Sequence, residues 1–419
     1  MSQIQGGHSV QLLQGGEAFF ASLIQDLDAS RIEVRMETYI FNDDASGQQV
    51  AAALSRAALR GVQVYLVVDG AGTPQLAPAL ADKLTQAGVQ WRIFSPLMGV
   101  GWLFPSRWRR LHRKLCVVDG QIGFCGGVNV LDDFFDPNHG VLSAPRFDFS
   151  VRVQGPLVRD IHQAVLQFWL RQKAVSDARE RDFTGAWVAL QSAVRVGDPL
   201  AVLMAPQAHT ASHAPPADIT VNTRMARSDT KAALLLRDNL LHRSRIERAY
   251  RKAIGEARQE IIIANAYFVP GARLRQALIH AARRGVRVRL LLQGKYEYFM
   301  QYHATRPVWG ALLAAGIEIH EYEASFLHAK VAVIDQRWAT VGSSNLDPLS
   351  LLLAREANIV VEDDAFATEL QQRLDHAMRS GGDPLHVQEY AQRPWHQKML
   401  DSLAFSLMRL MLWLTGKNY

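Results

Sequence analysis

His112 and Lys114 stand two residues apart, and Asp119 follows five residues after the lysine. His328, Lys330 and Asp335 repeat that spacing 216 residues later. An imidazole can attack phosphorus or carry a proton near neutral pH, and an ammonium can neutralise a phosphoryl oxygen. One His-x-Lys on a strand usually marks a solvated face. Two copies, each followed by the same polar residues, point to one anion-handling site.

The segments LHRKLCVVD and LHAKVAVID read as strands. Residues two apart on a strand share a face, so His112 projects with Lys114 and His328 with Lys330. Asp119 and Asp335 have the other parity and fall where the strands end. That predicts a bracing role at a turn. Downstream come Gly126-Gly127-Val128-Asn129 and Gly342-Ser343-Ser344-Asn345. Small residues admit a ligand close to the backbone. The amides of Asn129 and Asn345, and the hydroxyl of Ser343 or Ser344, can donate to phosphoryl oxygens. Asp148 and Glu356 follow, each able to accept a proton from the far nitrogen of a histidine and so set its tautomer.

In one cleft these groups support a two-step phosphodiester reaction. One histidine attacks phosphorus to form a phosphohistidine. The other protonates the departing alkoxide, then deprotonates the incoming alcohol or water. The lysines supply the electrostatic stabilisation, so neither a metal nor a cofactor is expected. The chain also lacks a compact carboxylate cluster that would demand a divalent ion.

Positioning two such strands requires a repeated frame, and the chain has one. Ile32 to Gly70 and Glu260 to Gly294 each read as an apolar strand, an Ala/Leu/Arg-rich helix, an Arg-Gly-Val stop and a second apolar strand. Gly61 and Gly285 suit the helix ends. Strand, helix, strand predicts a parallel crossover unit. Arginines such as Arg60, Arg284, Arg287 and Arg289 read as solvated positions on this frame. The expected organisation is an N-terminal repeat over 1–171, a linker over 172–231, a C-terminal repeat over 232–378 and a tail over 379–419. The linker is rich in Ala, Pro, Ser, Thr and Asp, which suggests some local structure and a flexible loop.

With 419 residues and 48% apolar content, the chain can bury sizeable cores. Its net charge of +6 favours anionic partners without choosing among nucleic acid, lipid and phosphorylated substrates. The two cysteines, Cys116 and Cys125, are too few for a disulfide framework or a thiolate zinc site, and they read as small buried hydrophobes in a reducing, cytosolic setting. The polar, Gly-rich N-terminus lacks the features of a signal peptide, and no apolar run reaches the ~18 residues of a membrane span.

The paired H-x-K-x4-D signature, with Asn and a carboxylate downstream, resembles the phospholipase D superfamily over roughly residues 10 to 365. Within it, LHRKLCVVDGQIGFCGGVN and HAKVAVIDQRWATVGSSNLDPLSLLLAREAN resemble bacterial cardiolipin synthases of the short type lacking N-terminal transmembrane helices. Ala354 departs from that pattern, which has Asn two residues before the Glu356 position. The resemblance implies an α/β fold of two tandem phospholipase D-like repeats, arranged as a pseudo-twofold sandwich with one shared active site. It counts Asp119 and Asp335 in the catalytic signature, and makes His112 the nucleophile and His328 the acid/base. It implies transfer of a phosphatidyl group to the primary hydroxyl of phosphatidylglycerol. The competing readings are a hydrolase releasing phosphatidic acid, a nuclease of the same superfamily, and a lipid-surface binding protein with a dead site.

A lipid substrate implies phospholipid partners, an anionic membrane surface and a peripheral place on the cytoplasmic face, with no nucleic acid expected. The tail KMLDSLAFSLMRLMLWLTGK supplies a candidate contact. Lys398, Asp401, Ser402, Ser406 and Arg409 recur at helical spacing and leave Leu, Met, Phe and Trp opposite, as in an interfacial helix. The alternative is a helix packed on the core. The Trp- and Arg-rich stretch at 96–112 is a second candidate contact.

Overall fold

The computed structural model describes all residues except 1–3, 97–107, 137–138, 180–181, 197–228, 239–241, 296–298, 348–353, 382–383 and 415–419. Most of the 96–112 stretch and the Pro/Ser/Thr-rich part of the expected linker therefore lie outside the described residues.

The first half runs β1 (Gln5–Gln14), α1 (Gly15–Ala29), β2 (Glu33–Thr38), α2 (Ala45–Leu59), β3 (Gln63–Asp69), α3 (Pro78–Gln86), β4 (Gln90–Phe94), β5 (Arg110–Leu111), β6 (Lys114–Val118), β7 (Ile122–Gly126), β8 (Phe135–Asp136), β9 (Gly140–Val141), β10 (Phe149–Gln154), α4 (Leu157–Arg179) and α5 (Phe183–Val196). The second half runs β11 (Thr230–Arg237), α6 (Arg245–Glu256), β12 (Glu260–Asn265), α7 (Ala272–Arg283), β13 (Arg287–Gln293), α8 (Phe299–Leu313), β14 (Glu318–Tyr322), β15 (Lys330–Ile334), β16 (Trp338–Gly342), β17 (Ala354–Glu362), α9 (Asp364–Gly381), α10 (Val387–Ala391) and α11 (Trp395–Leu414).

The two halves share one strand order. β1-β10-β7-β6-β2-β3-β4 in the first corresponds to β11-β17-β16-β15-β12-β13-β14 in the second, and β1 pairs with β11 to join them. Each half contains the expected parallel crossover, with β2 parallel to β3 and β12 parallel to β13. Gly61 (φ 91°) and Gly285 (φ 88°) end α2 and α7 in the left-handed region that only glycine enters cheaply.

The sheets face one another across a central core. Leu115, Val117 and Val151 from the first half meet Val331, Val333 and Ile359 from the second, with Ile161 of α4 and Leu370 of α9 in the same cluster. Separate cores hold α1–α3 on one outer face and α6–α8 on the other. Near-continuous Val/Ile/Leu runs are what strands covered on both sides need. Cys116 and Cys125 are buried free thiols within this packing.

Helix α4 crosses residue 171 and continues to Arg179, and α5 packs back along it, so the structured part of the expected linker is a helical hairpin. The tail forms α11, but its orientation differs from the sequence expectation. Asp401, Ala404 and Met408 face the protein, while Met399, Leu403, Leu407 and Leu410 are exposed. Asp401 is drawn inward because its carboxylate meets His303 Nδ1 at 2.7 Å and Arg393 at 2.9 Å. The helix thus packs on the core along a narrow strip and turns an apolar stripe outward. No helix among the described residues is long and apolar enough to cross a membrane.

Candidate active site

Strands β6 and β15 begin at the same end of the molecule, and the histidines and lysines of the paired signature lie just before and at their starts. Backbone pairing across the two halves fixes them there. His112 N donates to Arg355 O (3.0 Å) and His328 N donates to Phe147 O (2.9 Å). β5 runs parallel to the start of β17, and Phe147 bridges Leu327. Each histidine is therefore anchored to the chain that carries the other half's carboxylate.

The side-chain pairs are exchanged accordingly. His112 Nδ1 lies 3.0 and 3.1 Å from the two oxygens of Glu356. His328 Nδ1 lies 2.6 Å from Asp148 Oδ2. With Nδ1–H committed to a carboxylate, each ring keeps its Nε2 for chemistry. Lys114 Nζ donates to His112 O at 2.7 Å, and Lys330 Nζ donates to His328 O. Both ammonium groups are thus held beside the histidine of their own half.

Asn129 closes the first half of the site. Its Oδ1 accepts from Ile40 N at 3.2 Å, which leaves the amide nitrogen as the donor for a ligand. Asn345 is buried at the matching place in the second half. Gly127 is required by Asp148, because a Cβ there would stand 2.3 Å from Asp148 Oδ1.

The geometry separates the remaining expected site residues by role. The Ser343 hydroxyl donates to Glu356 Oε2 (2.5 Å) and accepts from Ala357 N (3.1 Å), so it positions the carboxylate and has no proton left for a phosphoryl oxygen. Asp119 and Asp335 stay out of the histidine–lysine cluster, so their place in the catalytic signature is not a place in the cleft. They sit at the far ends of β6 and β15, about five strand residues or ~17 Å away. Asp119 accepts from the backbone N–H of Arg31, Ile32 and Glu33 (2.8–2.9 Å). Asp335 does the same for Arg258, Gln259 and Glu260 (2.8–2.9 Å). Both adopt left-handed φ, 53° and 52°.

Three further residues at the site do not belong to the paired signature. The Tyr39 ring packs edge-on against His112 at 5.0 Å, and its counterpart by strand register is Ala266, so the repeat gives no cue. Leu111 N donates to Asp69 Oδ2 at 2.6 Å, and Leu327 N donates to Gln293 Oε1 at 2.9 Å. These acceptors end the matching strands β3 and β13. A comparison of the repeats at those ends would have revealed them.

Electrostatically the halves are unequal. Burial pushes the Lys114 ammonium down, and Lys330 adds to this, so that it titrates at about 7. Burial raises Asp148 to about 6 against the pull of Lys330 and its other cationic neighbours. Burial also opposes charge on Glu356, but His112, Lys114 and Ser343 outweigh it and hold the carboxyl below its ordinary range. Burial and the neighbouring lysines lower His328 well below 6.5; burial lowers His112 as well, against the pull of Glu356.

Comparison with known proteins follows the same two-half division. Residues 23–144 and 250–378 each match the family described as "Cardiolipin synthase, PLD-like domain". Cardiolipin synthase B of Escherichia coli (strain K12) is 34% identical over 405 residues, covering 96% of this chain and 88% of that protein. Cardiolipin synthase of Geobacillus thermodenitrificans (strain NG80-2) is 28% identical over 418 residues, covering 97% of this chain and 74% of that protein. Among solved structures, phosphatidylserine synthase of Haemophilus influenzae Rd KW20 shares the fold with a TM-score of 0.64 at 12% identity, covering 96% of this chain and 94% of that one.

Proposed function

The chain belongs to the cardiolipin synthase family of phospholipase D-like proteins, and from that premise we propose that it is a cardiolipin synthase working through a phosphohistidine. The observation that carries the mechanism is the exchange of carboxylates, His112 with Glu356 and His328 with Asp148.

In the first step His112 Nε2 attacks the donor lipid's phosphorus. The P–O bond to the headgroup breaks, and His328 gives its proton to the departing alkoxide. In the second step His328 takes the proton from the primary hydroxyl of phosphatidylglycerol. That oxygen attacks phosphorus and releases His112. With phosphatidylglycerol as donor, the products are cardiolipin and glycerol. The bidentate, ionised Glu356 supports His112 as nucleophile, because it offsets positive charge on the ring as the P–N bond forms. The Asp148 carboxyl, raised to about 6, sits in a short contact with His328. That pair suits the proton-carrying role. Lys114, Lys330 and the Asn129 and Asn345 amides receive the non-bridging oxygens.

A substrate embedded in a bilayer requires a peripheral place on the membrane. The outward stripe of Met399, Leu403, Leu407 and Leu410 on α11 supports that location. The direct test is incubation of purified protein with phosphatidylglycerol vesicles and mass spectrometry of the lipids. Cardiolipin and free glycerol are the expected products. Phosphatidic acid as the sole lipid product would assign a hydrolase instead.

A further inference from the structure

The segment between Asn129 and Asp148 starts and ends at the site, and three of its described apolar side chains are exposed while Val130, Leu131 and Phe147 are buried. Phe134 is 52% exposed and Val141 84% exposed, with Phe135 also exposed. The β8–β9 hairpin that carries them is braced from below. Arg146 donates to the carbonyls of Asp132 (2.7 Å) and Phe135 (2.8 Å) and pairs with Asp136 (2.7 Å). Ser325, three residues before His328, donates to Ala144 O at 2.6 Å. These contacts hold the described part of the hairpin to the site, and leaving two phenylalanines and a valine uncovered on it costs solvation free energy unless something apolar meets them.

A second apolar surface lies at the same end of the molecule. His162 of α4 meets Glu33 at the far end of β2, and Phe168 packs on Phe94 at the site end of β4, with ring centroids 5.2 Å apart. The ten residues after Trp169 therefore carry α4 ~15 Å past the sheet on the site side. Gln167 Nε2 donates to Ala193 O at 3.2 Å, which sets α5 antiparallel and places its first turns at that outer end. Ala189 and Ala193 of α5 are buried, while Phe183, Trp187, Leu190 and Val194 are exposed. At 100° per residue those four share one face.

We infer that the β8–β9 hairpin and the apolar face of α5 are two insertion elements that seat the mouth of the site on an anionic lipid surface. The inference rests on the proposed lipid chemistry and adds where and how the molecule docks. A bilayer fits better than a second copy of the chain, because a copy covering both elements would close the mouth through which both lipids enter. Exposed Arg171 on the projecting part of α4 gives that side a cationic contribution toward anionic headgroups, whereas Lys173 there is paired with Asp177 at 2.7 Å.

Cys116 and Cys125 are buried, and burial pushes both thiols up, so single labels can be placed at Val141→Cys and Trp187→Cys. With vesicles of equal parts phosphatidylglycerol and phosphatidylcholine, an environment-sensitive label at each position should shift to the blue and be quenched by nitroxide lipids. No response at either position overturns the inference. So does a shift without vesicles that grows with protein concentration, which would assign a second copy. In parallel, Phe134→Ser/Phe135→Ser/Val141→Ser and Phe183→Ser/Trp187→Ser should each lower turnover of vesicles by roughly tenfold. Turnover of short-chain phosphatidylglycerol below its micelle concentration should stay within about twofold, a readout that also verifies folding. Equal losses on both substrates overturn the inference. Label insertion without cardiolipin formation would remove the proposed chemistry and leave the docking intact; cardiolipin formation without insertion would do the reverse.

Discussion

At the scale of single residues, the two halves of the site are equivalent in type and unequal in charge. Glu356 is a carboxylate held ionised by His112, Lys114 and Ser343, whereas burial raises Asp148 to about 6. Lys114 titrates at about 7 in the free site, so its ammonium is present below that pH and lost as pH rises through it. The proposed mechanism needs that ammonium against the phosphoryl oxygens. The ratio kcat/KM should therefore fall in two alkaline steps, one below pH 6.5 as the His328 donor loses its proton and one near 7 as Lys114 does, and Lys114→Arg should remove only the second. A profile flat through pH 8 in the wild-type protein would contradict the role. The histidines, lysines and asparagines were legible in the sequence because the same types recur at a constant offset. Tyr39 was not, since Ala266 takes its place in the other half. The role of Ser343 was misread because a hydroxyl's single proton goes to whichever acceptor folding brings nearest, and here that is Glu356.

At the scale of elements, the sequence pattern reads the strands two residues too long: β6 and β15 begin at Lys114 and Lys330, and pairing with Arg355 and Phe147 of the other half places His112 and His328. Strand parity bears on the later residues. It placed Asp119 and Asp335 at strand ends, where each gathers three backbone N–H groups at the start of β2 or β12. Asp119→Ala leaves those donors without a carboxylate and should cost ~1–3 kcal/mol of stability, read as a lower melting temperature. At a temperature where the variant stays folded, kcat should stay within about twofold. Gly127→Ala should behave in the opposite way. Its Cβ would displace the Asp148 carboxylate, so kcat should fall ~100-fold or more with the fold retained. A Gly127→Ala enzyme of normal kcat would show that Asp148 does not need its present position. Long-range pairing hid other features from the sequence. Arg289, which reads as solvated, is buried between Glu260 and Asp375. The α4–α5 hairpin occupies a segment whose composition reads as a linker.

At the scale of the whole molecule, the repeat made the architecture legible: identical strand orders in the two halves follow from one strand–helix–strand pattern written twice. The exchange of carboxylates was not legible. In sequence each histidine precedes a carboxylate of its own half, and only the packing of one half's strand start against the other's reveals the crossing. Neither half holds a complete histidine–carboxylate pair, so the site exists only in the joined molecule. The most direct test of this composite, covalent mechanism is acid-free quenching during turnover of phosphatidylglycerol, followed by peptide mass spectrometry. A phosphatidyl adduct on His112 is predicted, strongly reduced in Glu356→Gln and accumulating in His328→Ala when the leaving headgroup needs no proton. Cardiolipin formed at the wild-type rate by His112→Ala, or an adduct carried by His328 alone, would contradict it.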